Sequence, residues 1–198
     1  MHLKKLIVLL SCFGSALCGA QAFAASTPVV VEKLAQAYVK AHAGADNAAA
    51  QRAMADTYAA TFFIGYLQHN GGIWNAPALE SAAYTDGQAY GRAHPGERDA
   101  ILLGYGYERV EVDGVWERGF ELSKFVPADR PPEEWWLSSY GGVAWHDLGL
   151  GQQIPSFNKA RVHIVGYASS IGRHGHLGMY QRDVLVTAFH LDSVVRLY

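Results

Sequence analysis

The stretch YGYERVEVDGVWERGFELSKF, residues 105–125, decides the fold of the C-terminal half of this 198-residue chain. Two runs rich in valine and aromatic residues, 105–112 and 115–125, flank the dipeptide Asp113-Gly114. Asp-Gly accepts the positive φ angles that a tight hairpin turn requires. The pattern therefore predicts a β-hairpin whose turn is Asp113-Gly114.

Three further runs after this hairpin have strand character. Glu134 to Leu137 reads as a short strand, and the runs 160–168 and 184–195 read as longer ones. The two longer runs are continuously apolar, which is typical of strands that are buried on both faces or that curl into a barrel. The segment 138–159 shows neither helical nor strand periodicity, and its glycines indicate a long ordered loop.

The C-terminal half resembles an OB-type small β-barrel, on the strength of the Asp113-Gly114 hairpin and the late runs 160–168 and 184–195. The resemblance depends on the number of strands and covers only this half. The region in which that fold usually places a helix, between its third and fourth strands, has no helical period here. The resemblance implies a binding face on the barrel and leaves the class of ligand open.

The part of the chain before Gly104 is rich in alanine at helical spacing. It predicts three helices, each with recognisable start and stop signals. They run from Thr27-Pro28 to Gly44, from Asp46 to about His69, and from Asn75 to just before Pro95-Gly96. The expected fold is therefore α+β: a helical region, residues 25–103, packed as one unit with a β-rich, five-stranded, mainly antiparallel region, residues 104–198.

The third predicted helix carries small residues at a spacing of four, Ala83, Gly87 and Gly91. This leaves one side of the helix almost free of side chains, so that a neighbouring helix can approach closely. Gly65 in the second helix is the expected partner, because close packing offsets the roughly 1 kcal/mol that each glycine costs in helix propensity. The alternative is that these glycines leave room for a ligand.

The N-terminus has the pattern of a secretory signal peptide, residues 1–24. A basic start precedes an apolar run, residues 6–17, and the small residues of Ala22-Phe23-Ala24 precede the expected cleavage site. The apolar run is shorter than the roughly 20 residues that span a bilayer. We therefore expect a periplasmic or secreted product with no stable membrane insertion. Lipid attachment at Cys18 is the alternative, and the bulky Leu17 directly before it argues against that.

The composition excludes several function classes. Both cysteines, Cys12 and Cys18, lie inside the predicted signal, which leaves no thiol nucleophile or disulfide in the mature chain. Loss of Lys4 and Lys5 changes the formal net charge from −2 to −4, and a nucleic-acid-binding domain would carry a basic excess instead. The sequence holds no serine-hydrolase elbow, zinc-protease helix, phosphate-binding loop or EF-hand. No cofactor is predicted, and the pattern does not decide whether the protein is an enzyme.

A glycine-punctuated segment, Gly172 to Gly178, carries the potentially cationic side chains of Arg173, His174 and His176. These residues are candidates for binding a ligand or partner. His174 and His176 are also candidate metal ligands, with His146, Asp147 or His190 as the third, because zinc sites need several converging imidazole or carboxylate groups. The alternative is a wide hairpin connection whose histidines bond to the backbone or to water.

Aromatic residues form a second cluster, in which Trp135 and Trp136 are adjacent and must point to opposite faces of a strand. Such residues line ligand grooves and also fill the interior of small barrels. The candidates for binding are Trp136, Tyr140 and Trp145.

These patterns together favour a binding protein of the cell envelope that acts through its barrel face and the loop 169–180. The expected partner is an envelope protein or an exported protein. The alternative function is an envelope-acting hydrolase that uses histidines, with or without a metal.

Overall fold

The computed structural model describes residues 27–42, 47–70, 76–143, 145, 148 and 158–194. The predicted signal peptide and its cleavage site lie outside these residues. The chain divides into two compact units, one formed by residues 25–105 and the other containing residues 106–198. The first unit is helical and the second is a sheet, which confirms the α+β class.

Within its described residues, the helical unit contains four α-helices, of which the sequence pattern predicted three. Their bounds are Val29–His42 (α1), Ala48–Leu67 (α2), Ala78–Ala93 (α3) and Arg98–Gly104 (α4). Helix α4 has only seven residues and follows a 3₁₀ turn at Pro95–Glu97, so it is too short to show a helical period. It forms because Ile101 and Leu102 are both buried.

Helices α2 and α3 pack with their backbones almost in contact, as the glycine spacing predicted. A Cβ atom on Gly65 would lie 2.1 Å from the carbonyl oxygen of Tyr84, and one on Gly87 would lie 2.0 Å from that of Phe62. Any larger residue at either position would collide with the facing backbone. The glycines therefore serve helix packing, and the space that a ligand would need is filled.

The second unit is a closed barrel built from the five strands that the structure describes after Gly106. The strands are Glu108–Gly119 (β1), Leu122–Pro127 (β2), Trp135–Ser139 (β3), Lys159–Ala168 (β4) and Arg182–Val194 (β5). Around the ring the order is β1-β2-β3-β5-β4, and β1 closes it by pairing with β4. Only the β3 and β5 pairing is parallel. A mainly antiparallel five-stranded small barrel is therefore confirmed.

The interior of the barrel is filled by large apolar side chains. Along β1 the buried positions alternate, with Val110, Val112 and Trp116 pointing inward, as expected for a strand with one buried face. Trp135 is completely buried, whereas its neighbour Trp136 faces outward and is half-buried. The predicted opposite orientations of the two tryptophans are thus present.

The predicted turn at Asp113-Gly114 is wrong. Strand β1 runs straight through this dipeptide, and the turn lies between Gly119 and Leu122, with Glu121 in the left-handed region at φ 54°. Gly114 is needed for a different reason: a Cβ atom there would lie 2.4 Å from the ring of Phe125. Glycine within a strand marks such a close approach as often as it marks a turn.

The segment after β3 begins with a 3₁₀ turn, Tyr140–Gly142. Most of the predicted loop 138–159, including residues 149–157, lies outside the described residues.

Among the helices of the described part of the chain, none has the length and apolarity needed to cross a bilayer.

Candidate functional site

The connection between β4 and β5, residues 169–181, is an ordered arm and forms the centre of the candidate site. His174 and Tyr180 exchange two main-chain hydrogen bonds of 2.9 and 3.2 Å, and the Gly172 amide donates to the Gln181 carbonyl at 2.8 Å. Glycines at 175 and 178 adopt φ angles of 64° and 67°, which side-chain-bearing residues rarely do. The glycines thus allow the arm to fold back on itself.

The arm is fastened to strand β3, where it covers Trp136. Gln181 binds Glu134 twice, since its amide donates to the Glu134 carbonyl at 2.9 Å and its side-chain oxygen accepts from the Glu134 amide at 2.7 Å. The rings of Trp136 and Tyr180 lie 5.2 Å apart. Gly175 passes so close to Trp136 that a Cβ atom there would lie 2.8 Å from its side chain. The predicted binding residue Trp136 is therefore a support of the arm.

The root of the arm is held by Arg182, whose side chain is only 11% exposed. Its guanidinium donates to the Ser169 carbonyl at 2.8 Å and to a Glu108 carboxylate oxygen at 2.8 Å. A second carboxylate, that of Glu133, lies 3.4 Å away. A largely buried cation with two carboxylate partners fixes the point at which β5 begins.

His174 acts as an internal clamp within the arm. Its Nε2 lies 3.0 Å from the Ser170 carbonyl oxygen and 3.2 Å from the Ser169 hydroxyl. A carbonyl can only accept, so Nε2 carries the proton and does not serve as a base for Ser169 in this arrangement. Burial lowers the pKa of His174, which keeps the ring neutral.

Arg173 and His176 make separate contacts. His176 Nε2 lies 3.2 Å from a carboxylate oxygen of Glu121, which belongs to the turn between β1 and β2. Arg173 is exposed, and its Nε donates a long hydrogen bond of 3.4 Å to the Gly178 carbonyl. The Glu121–His176 contact joins the β1–β2 turn to the arm.

The metal hypothesis gains no support from the histidines that the structure describes. His174 and His176 are engaged by different partners, and among the described residues no group of three His, Cys, Asp or Glu could hold a metal ion. His146 and Asp147 lie outside the described residues. His190, on β5, instead lies opposite His163 on β4. Histidine-based hydrolysis, with or without a metal, stays a prediction.

Two aromatic candidates lie after β3. Trp145 packs against the barrel core, with its ring 4.8 Å from that of Trp116 and 6.1 Å from that of Phe189. Tyr140 is half-buried in the 3₁₀ turn that ends β3. Trp145 thus contributes to the core.

The sequence analysis missed an exposed group of apolar side chains, which we call the apolar tip: Phe120, Leu177 and Met179. They are 91%, 71% and 60% exposed, respectively. Phe120 is adjacent to Glu121, and Leu177 is adjacent to His176, so the Glu121–His176 contact brings the turn and the arm together at this point. Leu177 also has a left-handed backbone, with φ 54°. Leu177 lies between Gly175 and Gly178, and these glycines were the feature of the sequence that could have indicated an unusual backbone here.

A second missed residue is Asp183. It lies at the start of β5, directly after the arm, and its carboxyl is partly buried. The Ser138 hydroxyl donates to its Oδ1 at 2.9 Å, and its main-chain amide donates to the Ser169 hydroxyl at 2.9 Å. Burial raises the pKa of Asp183 to about 6, although the Ser138 hydrogen bond opposes this. Asp183 is therefore a weaker acid than an exposed aspartate.

The outer face of the barrel carries a row of polar side chains across three strands, Asp113 on β1, His163 on β4 and His190 on β5. His163 Nδ1 lies 2.8 Å from Asp113 Oδ1, and this hydrogen bond raises the pKa of His163. His190 lies 3.6 Å from Asp192. The row therefore consists of surface side chains that contact acidic neighbours.

Comparisons with models of known protein families, with curated proteins and with solved structures found no match for this chain.

Proposed function

We propose that this protein is an exported binding protein that attaches to a component of the cell envelope through the apolar tip. The signal-peptide pattern of residues 1–24 supports export. The observation that carries the binding proposal is Leu177, a large apolar residue that is 71% exposed and has a left-handed backbone.

Leu177 is unfavourable for folding on two counts. A left-handed backbone costs a residue other than glycine roughly 1–2 kcal/mol. An exposed side chain recovers little of that free energy, because it buries little apolar surface. Strained, exposed apolar residues of this kind are concentrated at binding surfaces. Contact with another molecule would bury the Leu177 side chain, which the fold leaves exposed.

The arm presents this surface in a fixed conformation. Its main chain is hydrogen-bonded across its own two limbs and to Glu134, and its root is held by Arg182. A surface that is already ordered loses less conformational entropy on binding than a flexible loop does. The arm is therefore suited to binding and does not need to fold first.

Site-specific photo-crosslinking in expressing bacteria tests this proposal. A photoreactive residue at position 179 should give adducts with an envelope component, protein or lipid, that are identified by gel shift and mass spectrometry. The matched control carries the same residue at position 103, because Leu103 is also exposed, at 53%, but belongs to helix α4. Equal adduct yields at the two positions would refute the proposal.

A second variant separates binding from folding. Leu177→Gly relieves the backbone strain, so the free energy of unfolding should stay equal or rise by up to about 1 kcal/mol. The adduct yield at position 179 should fall, because the side chain that makes the contact is gone. A variant that keeps the full yield would show that Leu177 has no part in binding.

A further inference from the structure

We infer that the envelope component is an anionic lipid surface, into which the apolar tip inserts reversibly. This inference depends on the proposed function, and it names the occupant of the same site.

The size of the apolar tip suits a lipid surface. Full burial of one side chain of this kind strengthens association by roughly one to two orders of magnitude. Three of them give weak, reversible association, of the order that a single acyl chain provides. A stable protein interface buries about 800 Å² on each partner, more than three side chains on two connections supply. A bilayer has no such requirement for a broad, matching surface.

The polar groups around the apolar tip are largely satisfied within the protein. The amides of Gly178, Met179 and Tyr180 donate to carbonyls of the arm itself, at 3.2, 3.3 and 3.2 Å. The Glu121 carboxylate has His176 as its partner at 3.2 Å. Unpaired polar groups are what makes insertion into an apolar phase costly. The main chain that follows Leu177 can therefore leave water at a low cost.

The charge of the arm favours anionic lipid. Residues 169–181 contain Arg173 and no Asp or Glu, while the buried His174 ring is neutral and does not add to this charge. The Arg173 side chain is exposed, and its Nε donates a long hydrogen bond to the Gly178 carbonyl. An arginine near an anionic membrane surface strengthens binding about fivefold. Arg173 is thus placed to reach lipid phosphates when the apolar tip enters the bilayer.

The test places an environment-sensitive NBD fluorophore at position 179, through Met179→Cys in a full-length chain that also carries Cys12→Ser and Cys18→Ser. The probe is titrated with vesicles of equal parts phosphatidylglycerol and phosphatidylethanolamine, and separately with phosphatidylcholine vesicles. Its emission should intensify and shift to shorter wavelength, most strongly with the anionic vesicles. The matched control carries NBD through Leu103→Cys and should not respond, although it contains the same N-terminal apolar run.

Two variants in the Met179→Cys background measure how much the apolar side chains and Arg173 contribute to lipid binding. Phe120→Ser with Leu177→Ser should raise the lipid concentration at half-maximal signal at least about tenfold, because loss of about 1.4 kcal/mol is already tenfold. Arg173→Gln should raise it about fivefold on anionic vesicles and leave it unchanged on phosphatidylcholine.

A silent probe at position 179, a response equal to that at position 103, or an unchanged response in the Phe120 and Leu177 variant would overturn the inference. If the probe is silent while photo-crosslinking at position 179 yields a protein adduct, then the occupant is a protein and the proposed function survives. If both experiments are negative, then both proposals are wrong.

Discussion

The helical unit and the barrel each contain a glycine contact too tight for any side chain, but the groups that face the glycines differ. Gly87 in α3 faces the backbone carbonyl of Phe62, at 2.0 Å from a notional Cβ atom. Gly114 in β1 faces chiefly the side-chain ring of Phe125, at 2.4 Å. A helix backbone cannot move without displacing the whole helix, whereas a ring can rotate. Substitution of the glycine is therefore expected to lower the free energy of unfolding more in the helical unit than in the barrel.

The largest effect is expected at the helix contact. Gly87→Ala should lower the free energy of unfolding by about 3 kcal/mol or more, as overpacking that shifts a backbone does. Helix propensity alone predicts the opposite sign, a gain of about 1 kcal/mol. Urea denaturation measures the difference. Gly96→Ala is the matched control, because nothing lies within 4 Å of a Cβ atom there. A stabilising Gly87→Ala would show that α2 and α3 are not in backbone contact.

A smaller loss is expected in the barrel. Gly114→Ala should cost about 2 kcal/mol, since the Phe125 ring can partly yield but the nearby Val126 carbonyl, 2.5 Å from the same Cβ position, cannot. Gly119→Ala should cost clearly less, because its nearest neighbour lies 3.4 Å away. Equal losses at the two positions, measured by thermal or urea unfolding, would contradict the strand assignment at Asp113-Gly114.

The two units also differ in the polar groups that they bury. The helical unit buries neutral hydroxyls, such as that of Tyr105, which donates to the Ala59 carbonyl at 3.0 Å. In the barrel unit the Asp183 carboxyl is partly buried, and this burial raises its pKa to about 6 from an ordinary 3.8. A group with a raised folded-state pKa adds stability below its unfolded pKa and loses that contribution as pH rises through the folded value. For Asp183 the loss falls between about pH 4 and pH 6.

Asp183→Asn should therefore stabilise the barrel at pH 7 by up to about 3 kcal/mol and have little effect at pH 4, because each pKa unit corresponds to about 1.4 kcal/mol. The amide oxygen can still accept from Ser138. Ser138→Ala, which removes the donor that favours the ionised form, should instead lower stability at pH 7. Urea unfolding at both pH values measures each variant. An effect of Asp183→Asn that is the same at pH 4 and pH 7 would show that Asp183 does not titrate in this range.

The smallest effect is expected on the outer face of the barrel. The hydrogen bond from His163 to Asp113 is the largest cause of the raised pKa of His163. Asp113→Asn should therefore lower this pKa toward its ordinary value, as NMR titration of the imidazole would show. Asp192→Asn should have a weaker effect, because Asp192 is the last of the contributing charges. A larger shift from Asp192→Asn would mean that the row is arranged differently.

Sequence periodicity located the secondary structure where neighbours along the chain determine it. The three longer helices and the strands at 135–139, 159–168 and 182–194 follow from local pattern, and the Gly65 and Gly87 contact follows from spacing. The turn was misplaced because Asp113-Gly114 has the composition of a turn, while the Phe125 ring that requires Gly114 lies eleven positions later. A tertiary contact of that kind has no local signature.

The candidate site was predictable in place but not in detail. The glycines around residues 172–178 indicated a loop between two strands, with a wide hairpin connection as one interpretation. The roles of its side chains depend partly on Glu121 and Trp136, which come from other parts of the chain. The exposure of Phe120 and the burial of Asp183 likewise depend on the tertiary structure, which the local sequence does not show.

Closure of that ring limits how the protein can meet other molecules. Among the residues that the structure describes, every strand of the barrel has a hydrogen-bonded neighbour on either side, so no strand is an open edge along its whole length. An open edge is a template for strand addition by a peptide or by a misfolded copy of the same chain. This pairing protects the barrel against edge-to-edge aggregation. Other molecules must then bind to side chains on its connections and outer face.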